Sequence, residues 1–173
     1  MQNVGNKLWN IIEWIVRLIL KFVFKVIHKE LTDDCFEAFM QFVKFGIVGV
    51  SNTIISYVLY AGSLLLFKKI VIFSKVDYLV AQGIAFVLSV AWSFYWNNKM
   101  VFVNEEEQER NLWKALIKTY ISYSFTGLFL NSILLALWVK LLNVSEFVAP
   151  IFNLIISVPI NFLINKFWAF RSN

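Results

Sequence analysis

Two ladders of small and polar residues recur in the chain at every fourth position, and each ends in asparagine. The first ladder consists of Ala81, Ala85, Ser89, Ser93 and Asn97. The second ladder, 68 residues further on, consists of Ala149, Asn153, Ser157, Asn161 and Asn165. Side chains four residues apart stack on one face of an α-helix, so each ladder predicts a polar helix face. Its amides can bind phosphate or sugar oxygens, or can hydrogen-bond across helices for packing alone.

A lysine and an aromatic residue follow each ladder. Lys99 and Phe102 follow the first ladder, and Lys166 and Phe170 follow the second. In both copies the aromatic residue comes five positions after the last asparagine. The lysines are candidates for binding an anionic group, or they anchor the helix ends at lipid headgroups.

The composition places these ladders in a membrane. The chain is 60% hydrophobic and contains 18 Phe and 7 Trp, more apolar surface than a soluble domain of this length buries. Four runs lack charged residues, and about 20 apolar residues suffice to cross the hydrocarbon core. We therefore predict four transmembrane helices, spans 1 to 4, at about residues 43–67, 78–101, 115–140 and 147–168.

The distribution of basic residues predicts the orientation. Twelve of the 16 Lys and Arg residues lie in the N-terminal arm, between spans 2 and 3, or in the tail. The four on the opposite side are Lys68, Lys69, Lys75 and Lys140. The positive-inside rule then predicts that both termini are cytoplasmic. The net charge of +5 indicates membrane topology and attraction to anionic lipids rather than nucleic-acid binding.

The N-terminal arm predicts a helix that lies in the membrane interface. Its charges recur every fourth residue at Glu13, Arg17, Lys21, Lys25 and Lys29. A basic stripe with a wide apolar remainder is typical of interfacial helices. The stripe is a membrane anchor or a site that attracts an anionic lipid or a partner enzyme.

The predicted fold is an all-α integral membrane protein with two parts. Residues 1–30 form the amphipathic interfacial helix, and residues 31–173 form the transmembrane domain. Spans 1 and 2 make one helical hairpin and spans 3 and 4 a second, both beginning in the cytoplasm, so the repeats are parallel. The two ladders could then face each other across a pocket on the pseudo-twofold axis.

The residues argue against several classes of function. No Asp or Glu lies inside a predicted span to carry a coupling proton, and no glycine-rich loop suits ATP. No catalytic constellation is present, so we expect neither an enzyme nor a bound metal or cofactor. The single cysteine, Cys35, excludes a disulfide within the chain.

Three segments resemble the GtrA-like family: FVKFGIVGVSNTIIS, SFYWNNKMVF and NFLINKFWAF. In that family the second and fourth helices end in Asn-Phe-x-x-Asn-basic-x-x-x-Phe. The second motif of this chain fits at Asn161, Phe162, Asn165, Lys166 and Phe170. The first motif departs, with Ser93 in place of the leading Asn and Asn98 before the basic Lys99. The resemblance covers about residues 39–171, and teichoic-acid-type members carry a similar amphipathic arm.

The resemblance implies a flippase for a polyprenyl-phosphate-linked monosaccharide in the bacterial cytoplasmic membrane. The sugar lipid would come from a glycosyltransferase at the cytoplasmic face and would serve teichoic acid or another surface polysaccharide. Lys44, Lys99 and Lys166 are then candidates for the phosphate. The candidates for sugar hydroxyls, or for the path between leaflets, are Asn97, Asn153, Asn161 and Asn165. Phe102 and Phe170 would hold the pocket rim against the isoprenoid, and Asn52 and Asn131 complete the substrate-binding set.

Two other functions remain open at this point. The chain could be a non-transporting scaffold that anchors or regulates the glycosyltransferase, or a small-molecule exporter. The missing intramembrane carboxylate argues against a proton-coupled exporter. A homo-oligomer is also compatible with so small a chain, because two ladders are little to seal a path for a sugar.

Overall fold

The computed structural model describes residues 2–71, 76–103, 111–145 and 148–171, which form helices and short connections. Three sequence predictions involve positions outside the described residues: Lys75 and Arg110 in the orientation argument, and residue 147 at the predicted start of span 4.

Four of the described helices are long and apolar enough to cross a membrane. They follow an N-terminal helix, Gln2–Val26. Spans 1 to 4 comprise Asp33–Ile70, Asp77–Val101, Leu112–Leu141 and Ile151–Ala169. The predicted all-α fold with four candidate transmembrane helices is confirmed. The helix that contains span 1 begins at Asp33, ahead of the apolar span, and the Thr32 hydroxyl at its start accepts the Cys35 N–H at 3.3 Å. A threonine followed by two aspartates, at positions 32–34, predicts this helix start.

The outer surface of the spans is apolar. Large hydrophobic side chains such as Ile54, Leu65, Leu128 and Ile155 are more than half exposed. The most deeply buried side chains include asparagine, serine and threonine. This arrangement reverses that of a soluble protein and suits a bilayer, where polar groups must be satisfied inside the bundle.

The chain divides into two compact units, Met1–Lys44 and Phe45–Asn173. In the first unit, the N-terminal helix packs against the beginning of the span 1 helix through Leu20, Phe36 and Met40. Arg17 lies 3.9 Å from the centre of the Phe36 ring and 3.8 Å from an Asp33 carboxylate oxygen. The helix still exposes a second apolar face, which includes Trp14, Leu18 and Phe22. The predicted division at residue 30 and the interfacial placement of this helix stay predictions.

We expect Leu20→Ala to weaken the packing of the N-terminal helix against the beginning of the span 1 helix. Leu20 is 7% exposed, and truncating a buried leucine costs about 2–5 kcal/mol. Trypsin cleavage at the lysines of this helix should therefore accelerate. Leu18→Ala is the matched control, because Leu18 is 54% exposed. Equal cleavage rates in the two variants would show that the Leu20 contact does not hold the helix.

Spans 2 and 4 both end in a π-helical turn. Asn97–Val101 closes span 2 and Asn165–Ala169 closes span 4. The Phe102 N–H donates to the Asn97 carbonyl at 2.8 Å, and the Phe170 N–H donates to the Asn165 carbonyl at 2.9 Å. A bond across five residues widens the helix and places the aromatic ring near the face of the asparagine. The predicted hairpin repeat stays a prediction, but these positions, 68 residues apart, share one local conformation.

Candidate functional site

The end of the second ladder forms a buried hydrogen-bonded cluster with span 3. The Asn165 amide nitrogen lies 3.1 Å from Ser122 Oγ, 2.8 Å from the Asn161 carbonyl and 3.0 Å from Asn161 Oδ1. The Ser122 hydroxyl in turn donates to Asn161 Oδ1 at 2.9 Å. Asn165 and Ser122 have at most 1% of their surface exposed. We call these three residues the span 3–4 cluster.

The end of the first ladder, on span 2, forms a second cluster that also involves span 3. Ser93 Oγ and Tyr123 Oη lie 2.7 Å apart. The Asn97 amide nitrogen lies 3.1 Å from Ser93 Oγ and 3.4 Å from Tyr123 Oη. Ser93 and Asn97 have no exposed surface. We call these three residues the span 2–3 cluster. It contains fewer hydrogen bonds than the span 3–4 cluster, because the first ladder has Ser93 at the position of Asn161 in the second.

Both clusters therefore depend on span 3, through the adjacent residues Ser122 and Tyr123. Neither residue was among the predicted binding residues. Span 3 does carry a signal for them, since Thr119, Ser122 and Thr126 are buried polar residues at helical spacing in a charge-free run. These residues lack the four-residue regularity of the ladders, so the ladders alone did not point to them.

Unpartnered amide oxygens are the main chemical feature of the site. Among the described residues, buried amide oxygens without a donor belong to Asn52, Asn97, Asn131, Asn153 and Asn165. A buried acceptor without a partner costs about 1–3 kcal/mol, so each favours water or a ligand rich in O–H and N–H groups. Asn97 and Asn165 are fully buried, so a ligand reaches them only if the spans move apart.

Four phenylalanine rings lie in a stack beside the two clusters. Successive ring centres are 5.5, 4.6 and 5.9 Å apart in the order Phe94, Phe170, Phe102 and Phe162. Phe94 and Phe162, at the two ends of the stack, are 68 residues apart in the chain, as are Phe102 and Phe170 in its middle. Phe45 of span 1 contacts Phe102 and Phe162, at 6.1 and 5.4 Å between ring centres. Phe102 and Phe170 are thus buried in the bundle, where they join the ends of spans 2 and 4.

The candidate phosphate-binding lysines lie against aromatic rings. The Lys99 ammonium lies 5.6 Å from the Tyr95 ring centre and donates to the Tyr95 hydroxyl at 3.4 Å. The Lys166 ammonium lies 5.6 Å from the Phe162 ring centre. Neither ammonium has a carboxylate partner among the described residues, so both charges remain available to an anion. Lys44 belongs to the first unit, where its ammonium lies 5.5 Å from the Trp9 ring centre.

Two further candidate asparagines link spans 3 and 4. The Asn153 amide nitrogen donates to the backbone carbonyl of Asn131 at 2.9 Å. This bond uses the Asn153 donor for packing and leaves both side-chain oxygens without a donor. Among the described residues, no hydrogen bond joins this pair to either cluster, so it is a separate polar contact between spans 3 and 4.

Asn52 lies elsewhere, in a groove between spans 1 and 2. The groove has a volume of about 330 Å³ and is lined by Asn52, Thr53, Ser56, Tyr57, Tyr60 and Gln82. Gln82 was not among the predicted residues, although it is the one glutamine within the four charge-free runs. We call this feature the span 1–2 groove. Among the described residues, no group of three His, Cys, Asp or Glu side chains could hold a metal ion.

The helices, the apolar exterior and the buried polar clusters define a polytopic membrane protein. A family model described as GtrA/DPMS, transmembrane domain, matches residues 44–170. The chain belongs to this family, and the predicted family is confirmed. Membership associates it with lipid-linked sugar translocation. Comparison with curated proteins and with solved structures found no match.

Proposed function

We propose that the protein is a flippase for a polyprenyl-phosphate-linked monosaccharide in a bacterial cytoplasmic membrane. The translocated sugar would decorate teichoic acid or another surface polysaccharide. The observation that carries this proposal is the family match, which begins at Lys44 and ends at Phe170 and so includes every predicted binding residue. The teichoic-acid assignment rests on the resemblance of the N-terminal arm.

The site offers groups for both parts of such a lipid. Lys99 and Lys166, at the ends of spans 2 and 4, have no carboxylate partner among the described residues, and their ammonium groups would attract the phosphate. The unpartnered amide oxygens accept hydrogen bonds, which the hydroxyls of a sugar would supply. With both termini in the cytoplasm, the lysines would meet the lipid on the side where a membrane glycosyltransferase releases it.

The proposed transport is passive and involves no catalysis by this chain. No carboxylate lies within the predicted spans to carry a coupling proton, so movement would follow the gradient of the sugar lipid. A partner subunit or a second copy of the chain could complete the path.

One observation favours the scaffold as a second candidate. The side-chain amide groups of Asn97, Asn153 and Asn165 all donate hydrogen bonds within the bundle. Asn97 and Asn165 are also fully buried. Such side chains can hold helices together without touching a ligand. A scaffold would then position the glycosyltransferase beside these spans.

Transport from purified components separates the two functions. We expect the protein in liposomes to speed translocation of a polyprenyl-phosphate sugar by about tenfold or more, which needs only 1.4 kcal/mol of barrier lowering. Liposomes with an unrelated four-span protein are the control. No acceleration, together with loss of the transferase from the membrane in a deletion strain, would overturn the flippase and support the scaffold.

A further inference from the structure

The span 1–2 groove presents only neutral hydrogen-bonding side chains. Its lining contains two carboxamides, two aliphatic hydroxyls and two phenols: Asn52, Gln82, Thr53, Ser56, Tyr57 and Tyr60. The buried oxygen of Asn52 has no donor. The Thr53 hydroxyl donates to the Gly49 carbonyl at 3.1 Å and keeps its acceptor capacity. Within the described chain, Ser56, Tyr60 and Gln82 make no side-chain hydrogen bond, so the groove holds unused donors and acceptors.

The groove lies at a depth where such groups are unusual. Its lining on span 1 runs from Asn52 to Tyr60, the middle of the charge-free run 45–67. Eight residues of helix correspond to about 12 Å along the span. Hydrocarbon offers no hydrogen bonds to polar side chains, so an open polar surface at mid-depth needs an occupant that is itself polar.

The groove also opens outward from the bundle. Tyr57 is 71% exposed, and the neighbouring Ile54 and Val58 are each 59% exposed. The ladder residues Ala81 and Ala85 of span 2 are fully buried, whereas Gln82, adjacent in sequence, turns away from them into the groove. The groove is thus a lateral opening of the bundle, on a different face of span 2 from the ladder.

We propose that the span 1–2 groove binds the sugar headgroup of the lipid while the isoprenoid remains in the surrounding bilayer. The identity of the ligand rests on the proposed function. A sugar is uncharged and rich in hydroxyls that both donate and accept, which matches the unused groups of the lining. Tyr57 and Tyr60 add aromatic faces for its C–H groups. The volume of about 330 Å³ is at the lower end of the range for small-molecule sites.

The chemistry of the lining selects the sugar over the other parts of the lipid. No cation lines the groove, so a phosphate would find no opposite charge there. An isoprenoid chain makes no hydrogen bonds and would leave the amides and hydroxyls unsatisfied. The phosphate therefore stays outside the groove while the sugar occupies it.

Photo-crosslinking tests this assignment independently of transport. The probes are glucosyl, galactosyl and N-acetylglucosaminyl neryl phosphate, each with a diazirine on the sugar. They are added to the purified full-length protein. We expect at least one probe to label the peptide that contains Tyr57 and Tyr60. Unlabelled neryl phosphate without a sugar should not compete, whereas the unlabelled sugar-bearing form should.

A pair of serine variants on span 1 provides the matched control. Ser56→Leu fills the groove with an apolar side chain and should lower crosslinking by about tenfold, as expected for the loss of two hydrogen bonds. Ser63→Leu makes the same change on the same helix outside the groove and should leave the yield unchanged. The proposal would be overturned if all three probes labelled other peptides, or if the two variants gave equal crosslinking yields. A disulfide between two copies of the chain carrying Ser56→Cys would also overturn it.

The liposome assay separates this inference from the flippase itself. Groove labelling without transport by the wild-type protein would overturn the flippase and leave the sugar site standing. Transport by the wild type, with equal transport by Ser56→Leu, would overturn the groove as the sugar site and leave the flippase standing.

Discussion

Asn165→Leu is expected to abolish glycosylation of the surface polymer while the protein remains in the membrane at its normal level. The change removes all three hydrogen bonds of the Asn165 amide and leaves Ser122 without its contact to that nitrogen. Interhelical hydrogen bonds in membranes contribute about 0.6–2 kcal/mol each, so the span 3–4 cluster should loosen substantially. Membrane insertion should persist, because leucine is more apolar than asparagine. Polymer glycosylation and immunoblotted protein level are the two measurements.

Asn97→Leu is the matched comparison in the first ladder. Asn97 makes two contacts, one of them at 3.4 Å, so its replacement should lower the melting temperature less than that of Asn165. Loss of the Asn165→Leu protein from the membrane, in step with the loss of activity, would return Asn165 to a packing role. Equal melting temperatures for the two variants would contradict the greater connectivity of the span 3–4 cluster.

Phe102→Ala is expected to cause the largest loss of stability among the substitutions considered. Phe102 is 4% exposed and contacts Phe45, Phe162 and Phe170. Truncating a buried phenylalanine costs about 3–5 kcal/mol through lost burial and the cavity left behind. The purified variant should melt well below the wild type in detergent.

A double-mutant cycle tests whether the rings act together. Phe102 and Phe170 have the shortest ring separation in the stack, so the two truncations should show a coupling of about 0.5–1.5 kcal/mol. Phe167→Ala is the control, because that ring is 64% exposed on the outer surface of span 4. A comparable loss of stability for Phe167→Ala would show that position in the stack is not what matters.

The fold was largely predictable because it depends on local composition. The four charge-free runs predicted the four spans, since a helix that crosses the bilayer must be apolar over its whole length. The start of the span 1 helix follows from a different local signal. The helix begins at Asp33, well before the charge-free run, because Thr32 and the acidic residues Asp33 and Asp34 form a typical helix start.

For each contact in the site, the sequence identified the residue on the ladder but not its partner on the neighbouring helix. The ladders marked Asn97, Asn161 and Asn165 as polar residues on one face of a helix, and the structure buries all three side chains. Their partner Ser122 lies 39 and 43 residues away from Asn161 and Asn165, and the sequence does not show which helix face will meet them. The span 1–2 groove also depends on how spans 1 and 2 diverge in space. The sequence therefore did not show that Gln82 and Asn52 line the same groove.

The aromatic residue five positions after each ladder is a pattern whose cause lies in the backbone. In a regular α-helix, the fifth residue after Asn97 or Asn165 would be turned away from the ladder face. The π turns at Asn97–Val101 and Asn165–Ala169 return Phe102 and Phe170 to the bundle interior, where both rings are buried. The spacing thus encodes a helix end, which sequence periodicity alone did not identify.

The adjacency of Ser122 and Tyr123 makes the two ladders thermodynamically dependent on each other. Neighbouring residues of one helix point about 100° apart, so span 3 bonds to span 4 with one side chain and to span 2 with the next. Any rotation of span 3 about its axis changes both sets of distances at once. A molecule that displaced Ser122 from Asn165 by turning span 3 would therefore also move Tyr123 relative to Ser93 and Asn97.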